Sequence, residues 1–394
     1  MIGIVLSLAL VAWVISLPLS GGLARYGRRL GLVDRAGLEA HKLGGRSVCD
    51  AGGVAIFVAV CWPMAAMLLA VLVVPDDWWG RALPWVQVHL PGLRRAAGVG
   101  GAVLVAASLM HALGVVDDRR GLSPWLKLTA QLLIAAGLVW AADMRVLHLL
   151  DTYGGIGVAG SVAVTVLWIV VVVNAVNFMD NMDGLAGGVA AVAAGVYLAA
   201  TLIGGEWFVA ALAALLFGAL AGFLVFNVAP ARLYLGDGGS LLVGLLLAVI
   251  SIRTTYFLTV PALPEGPAAA AYLQSMGTAG GPHIGGAAAG ATRAHWYGLL
   301  TPLVVLAVPL YDFVTVCLLR LRAGRSPLVG DRNHFSHRLV RQGYSKRRAV
   351  GVIWLCTLAT GLSGVMLGSL EAWQACLAAL QTVAVLAVLA ALER

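Results

Sequence analysis

The sequence predicts an all-α, polytopic integral membrane protein, and three observations carry that reading. Hydrophobic residues make up 61% of the 394 residues and charged residues only 11%, where soluble domains carry about 25% charged residues. The mean hydropathy is +0.93. Apolar runs long enough to cross a bilayer recur along the whole chain, with basic residues gathered between them. This usage excludes an ordinary soluble enzyme and a disordered chain. The 49 glycines follow no every-third-residue period, which excludes a collagen-like fibre.

About eleven membrane-spanning helices are expected, near residues 2–20, 52–75, 97–116, 125–142, 158–176, 185–204, 207–226, 239–253, 297–318, 349–369 and 372–391. The first has no basic residue ahead of its apolar run and reads as a retained helix rather than a signal peptide. Several of the others are short, consistent with tilted, broken or re-entrant segments. Placing successive connections on alternate sides gives one side 20 Lys and Arg, from residues 21–50, 117–127, 227–237, 319–348 and Arg394. The other side receives six: Arg81, Arg94, Arg95, Arg145, Arg253 and Arg293. The positive-inside rule then puts the N-terminus outside and the C-terminus in the cytoplasm. The chain reads as one membrane-embedded domain over 1–394, with a Gly/Ala/Pro-rich outer loop at 254–296 that includes Gly280-Gly281-Pro282.

The formal charge of +8 comes from short separate clusters, so lipid headgroups or phosphate substrates fit it better than nucleic acid. Five cysteines, an odd number with no C-x-x-C pair, give neither a disulfide framework nor a zinc ribbon.

The acidic residues carry the functional signal. Asp117-Asp118 follows the third segment, and Asp180 and Asp183 lie in Asn174-Ala-Val-Asn177-Phe-Met-Asp180-Asn-Met-Asp183-Gly184 after the fifth. Asp237 stands in Tyr234-Leu-Gly-Asp237-Gly-Gly-Ser240 before the eighth, and Asp331 lies in the late basic loop. All fall on the side assigned to the cytoplasm. Singly, each reads as a solvated turn or a helix cap. Together, repelling carboxylates beside hydrocarbon suit a divalent cation, and Mg²⁺ bridges carboxylates and substrate phosphates. A metal-assisted phosphoryl-transfer site reachable by both a lipid and a soluble nucleotide follows.

Basic and polar residues extend this reading. Lys127 and Gln131 share one helix face near Asp117-Asp118, where Lys127 either neutralises a lipid phosphate or reaches to the headgroups. In Asp331-Arg332-Asn-His334-Phe-Ser-His337-Arg338, the arginines suit pyrophosphate oxygens, and the histidines suit a diphosphate or a sugar. Zinc ligation and structural hydrogen bonding remain the other readings of that cluster. His41 and Arg46 in the first cytoplasmic loop are weaker binding candidates of the same kind.

The four ordered motifs, from Gly114-Val-Val-Asp117-Asp118 to Asp331-Arg-Asn-His334-Phe-Ser-His337-Arg-Leu339, resemble the polyprenyl-phosphate N-acetylhexosamine-1-phosphate transferases. The resemblance implies a Mg²⁺-dependent enzyme, with Mn²⁺ as an alternative, in the bacterial cytoplasmic membrane with its site facing the cytoplasm. Such an enzyme joins a sugar 1-phosphate from a UDP-N-acetylhexosamine, UDP-GlcNAc first, to undecaprenyl phosphate or a similar carrier. It releases UMP and starts a cell-envelope polysaccharide. The resemblance also implies Asp237 as a direct metal ligand, Asp117 and Asp118 as the pair contacting cation and lipid phosphate, and Asp117 as a candidate base. Asp180, Asp183 and Asn177 match the motif near the nucleotide sugar, and Tyr234 stands where an aromatic stacks on uracil. His41 is separated from Gly52-Gly53 by a longer, proline-free stretch than is usual in the family, and Ser336 stands where a histidine often precedes His337. The Asp-Arg-x-His form resembles the UDP-HexNAc branch more than the MurNAc-pentapeptide branch. An ion-coupled transporter is the alternative class, and a homodimer is left open.

Overall fold

The computed structural model describes residues 1–27, 29, 31–32, 48–258, 296–326 and 334–393. His41, Arg46, Asp331, Arg332 and most of the expected outer loop lie outside the described residues. Among the described residues there is no strand, and ten helices are long and apolar enough to cross a membrane. They are α1 (Ile2–Tyr26), α2 (Gly52–Val73), α3 (Leu90–Arg120), α4 (Pro124–Ala142), α5 (Gly154–Met179), α6 (Leu185–Gly204), α7 (Trp207–Asn227), α8 (Gly236–Leu258), and, further on, Lys346–Met366 and Ala372–Leu392. Helices dominate because the bilayer core has no water to satisfy backbone N–H and C=O groups, so each spanning segment must satisfy its own.

The segment expected at 297–318 is a broken span. Helix α9 (Thr301–Val305) and α10 (Ala307–Arg322) meet at Leu306, where the two halves of the span bend by 71°. A short helix α11 (Phe335–Arg341) follows, then α12 (Lys346–Met366) and α13 (Ala372–Leu392). Helix α3 runs beyond the expected 97–116, so Asp117-Asp118 occupies its last turn rather than the connection after it.

The molecule is apolar outside as well as inside. Trp140, Ile156 and Ile203 are 87%, 87% and 88% exposed, as expected of side chains that face lipid or its interface. The spans differ sharply in their surroundings. In the most apolar stretch of α8, 94% of residues are buried, against 17% in α1. Helix α8 is therefore the axis of the bundle and α1 is a peripheral strut. That strut holds by close backbone approach to α7, with the Ser16 hydroxyl donating to the Ala219 carbonyl at 2.7 Å.

Candidate functional site

The N-terminus of the central helix organises the site. The first amides of α8 have no partner inside the helix. Asp118, at the end of α3, accepts two of them: Oδ1 from Asp237 N–H at 2.8 Å and Oδ2 from Gly238 N–H at 3.0 Å. A carboxylate is favoured at this positive helix end. The approach is close enough to require glycine, since a Cβ on Gly114 would strike the Asp237 carbonyl and one on Gly53 would strike the Gly238–Gly239 backbone. His111 Nδ1 donates to the Gly238 carbonyl at 2.8 Å, and its ring stacks on Phe57 with centroids 4.6 Å apart. The chain entering α8 is pinned from the other side. Tyr234 N–H donates to Cys49 O at 2.8 Å, and Gly52 N–H donates to Tyr234 O at 2.9 Å.

Against this fixed turn the side chains converge. Gly121, with φ +63°, ends α3, and Ser123 caps α4, so the chain reverses quickly and Lys127 falls in the first turn of α4. Its ammonium lies 2.7 Å from Asp117 Oδ2 and also donates to Asp237 Oδ2. Leu122 N–H holds the other Asp117 oxygen at 2.7 Å. Asn177 Nδ2 donates to Asp237 Oδ1 and to Ser240 Oγ, both at 2.8 Å. Two carboxylates thus face one ammonium, with Asp118 beside them on the α8 amides, and the side chains of Lys127, Asp117 and Asp237 retain 16%, 11% and 32% exposure. The group is sheltered enough for charge to matter and open enough to receive a ligand.

The second acidic motif lies beside it. Asp180 caps α5, and its N–H donates to Asn177 O at 3.1 Å. Asp183 Oδ2 accepts Ala231 N–H at 3.0 Å, which ties this turn to the segment leading to Tyr234. Asn227 reinforces the tie, accepting Gly184 N–H at 3.0 Å and donating to Leu233 O at 2.9 Å.

Helix α11 closes the same end. The Ser336 hydroxyl donates to Asn181 Oδ1 at 2.6 Å, and the His334 ring meets Phe178 edge-on with centroids 5.9 Å apart. His334 is held from below by Asp312 of α10, and His337 lies one turn along α11. Arg338, read from the sequence as a pyrophosphate contact, has its guanidinium 3.0 Å from Glu393, which also accepts the Tyr311 hydroxyl at 2.7 Å.

The structure thus joins Asp117, Asp118, Lys127, Asn177 and Asp237 directly, and brings Asp180, Asp183, Tyr234 and His334 in on the adjoining turns. Sequence reasoning missed His111, Asn227, Ser240 and Asp312. His111, Asn227 and Asp312 are each a polar residue in an apolar run, the one signal that marks them, while Ser240 closes the Tyr234–Ser240 motif without a role being read for it.

The signature of glycosyl transferase family 4 matches residues 101–255, the stretch that holds three of the four motifs. A decaprenyl-phosphate N-acetylglucosaminephosphotransferase of Mycobacterium leprae is 31% identical, over 70% of this chain and 67% of its own length. The protein of that name from Mycolicibacterium smegmatis is 32% identical, over 64% of this chain and 60% of its own length. A probable undecaprenyl-phosphate N-acetylglucosaminyl 1-phosphate transferase of Bacillus subtilis is 26% identical, over 69% and 67%. The chain is thus a multi-pass membrane protein similar to the polyprenyl-phosphate sugar-phosphate transferases. It belongs to glycosyl transferase family 4. It spans about 60% of the length of the M. smegmatis relative.

Proposed function

We propose that the protein transfers a sugar 1-phosphate, GlcNAc-1-phosphate first, from a UDP-sugar to undecaprenyl phosphate or a similar polyprenyl phosphate, releasing UMP at the cytoplasmic face. The observation that carries this reading is the Lys127 ammonium held between Asp117 and Asp237 at the start of α8. Carboxylates from two helix ends, the last turn of α3 and the first of α8, converge there on one cationic group, at the end of the bundle where the sequence concentrates its basic residues. The names of the relatives support the same carrier and sugar.

The donor set fits Mg²⁺. Asp117 and Asp237 offer hard oxygens and already hold one cationic group. Among the described residues no group of three His, Cys, Asp or Glu converges as a closed metal cage. Mg²⁺ is commonly held by one or two carboxylates and completed by water and substrate phosphate. Asp237 and Asp117 would hold it, in place of the Asp118 expected from the sequence, whose two oxygens already accept the Asp237 and Gly238 amides; when bound it would supply neutralisation of the diphosphate and of the departing UMP.

The chain's own groups then have stated tasks. An oxygen of the lipid phosphate attacks the sugar-proximal phosphorus, the bond from that phosphorus to the bridging oxygen breaks, and UMP leaves with the electron pair. The sugar C1–O bond is kept. Lys127 holds phosphate oxygens, Asn177 fixes the rotamer of Asp237, and Asp118 fixes the turn that carries it. Asp117 is placed to take a proton, although a phosphate monoester is already largely ionised near neutral pH. Tyr234 offers a face for the uracil, and Asp180 and Asp183 flank the sugar nucleotide.

Purified protein given Mg²⁺, undecaprenyl phosphate and a panel of UDP-sugars tests this, with mass analysis of the lipid product. A lipid-linked GlcNAc phosphate with stoichiometric UMP is expected. Folded protein that makes no lipid product from any member of the panel would refute the assignment. The transporter reading is weaker because the carboxylate cluster is confined to one end of the bundle, with no relay of such groups across it among the described residues.

A further inference from the structure

A carboxylate that no motif contains lies inside the bundle. Asp312, in α10 beyond the break at Leu306, is 0% exposed. An ionisable residue buried in a membrane protein is expensive and is kept where it has a defined partner. Its partner is His334: Nδ1 lies 2.8 Å from Asp312 Oδ2, while Asp312 Oδ1 accepts Phe335 N–H at 3.0 Å. Both oxygens are therefore engaged by the first residues of α11.

We propose that Asp312 is a positioning residue, which acts through His334. Because a carboxylate only accepts, it fixes the proton on His334 Nδ1. Nε2 is thereby left as the nitrogen for the diphosphate or sugar of the bound nucleotide. The ring cannot turn away, since Phe178 meets it edge-on and the Ser336–Asn181 hydrogen bond anchors α11 to the Asp180–Asp183 turn. This rests on the transferase reading, in which that turn borders the donor substrate.

A double-mutant cycle separates positioning from plain support of α11. Asp312→Asn still offers one oxygen to Phe335 N–H but cannot serve both acceptor roles. In otherwise wild-type protein it should lower kcat/KM about 10-fold or more, and His334→Ala should cost at least as much. In the His334→Ala background, Asp312→Asn should cost less than about 2-fold, because the two changes remove one interaction. An equal cost in both backgrounds, or near-normal turnover of Asp312→Asn, would overturn the proposal.

If Asp312→Asn does not survive purification, His334→Asn serves instead. Its amide can still donate to Asp312, and it has no counterpart to Nε2. It should keep the wild-type unfolding temperature and lose turnover, and wild-type turnover would overturn the proposal. Wild-type protein that makes no lipid product refutes the transferase reading, whereas active wild-type protein with additive mutations refutes only the role of Asp312.

Discussion

The two ends of the helix bundle handle charge in opposite ways. At the end away from the site, acids and bases pair locally: Arg145 makes hydrogen bonds to both oxygens of Asp151 at 2.7 and 3.1 Å, six residues away, and Arg94 pairs with Asp76 across 18. At the site end the partners are far apart in sequence, 110 residues for Lys127 and Asp237 and 119 for Asp237 and Asp118. Acids there outnumber the base, with Asp117 and Asp237 on one ammonium and Asp118 beside them on the α8 amides. A balanced pair is complete in itself, while a surplus of negative charge held by the fold is a demand for something from outside. The end that folds without balancing its charges is the end at which the proposed substrates would bind.

Breaking that contrast at its strongest point should have the largest effect. Asp237→Asn keeps the shape and the hydrogen-bonding capacity near Asn177 but removes a charge from the pocket. It should reduce lipid product by about 100-fold or more while the unfolding temperature in detergent changes little. Near-normal turnover would remove Asp237 as an essential ligand.

Tyr234→Ala should act more narrowly. Loss of a stacking face is worth about 1–3 kcal/mol per base in nucleic-acid sites, so the apparent KM for the UDP-sugar should rise about 10-fold with a smaller change in kcat. An unchanged KM would reject the uracil contact.

The smallest effect is expected at the other end, and on stability alone. Glu206 lies between α6 and α7, where burial pushes its carboxyl up to about 8 despite the attraction of Arg253. The folded protein therefore keeps the proton to higher pH than the unfolded chain does. The stability this contributes is complete below the ordinary carboxylate range and is lost as pH rises towards about 8. Glu206→Gln should thus gain on the wild type by about 1–3 °C in unfolding temperature between pH 5 and pH 8, with turnover unaffected. A gap that does not vary with pH, or a loss of activity, would blur the distinction between the two ends.

The sequence exposes the site end because its residues come in short contiguous motifs. Asp117-Asp118, Asn177 to Asp183 and Tyr234 to Ser240 each concentrate polar residues and glycine at the end of an apolar run, a pattern that hydropathy alone locates. The roles inside the cluster are less legible. Asp118 stands beside Asp117 in the chain, yet it receives the α8 amides while Asp117 receives Lys127, and only the packing of α3 on α8 separates them. Asp312 and His111 give weaker signals still, since their partners lie 22 and 127 residues away. The bend at Leu306 escapes because hydropathy averages over the window that contains it, and the run from 297 to 318 is apolar on both sides of the break.

The enclosure of α8 sets how the protein answers to its membrane. A span that touches hydrocarbon must match the thickness of the bilayer by tilting, kinking or deforming it. With nearly all of its apolar stretch walled off by other helices, α8 is spared that adjustment, while α1 and the outer helices absorb it. Thickening or thinning the surrounding lipid should therefore move the perimeter of the protein while Asp237, carried on α8, keeps its place in the bundle.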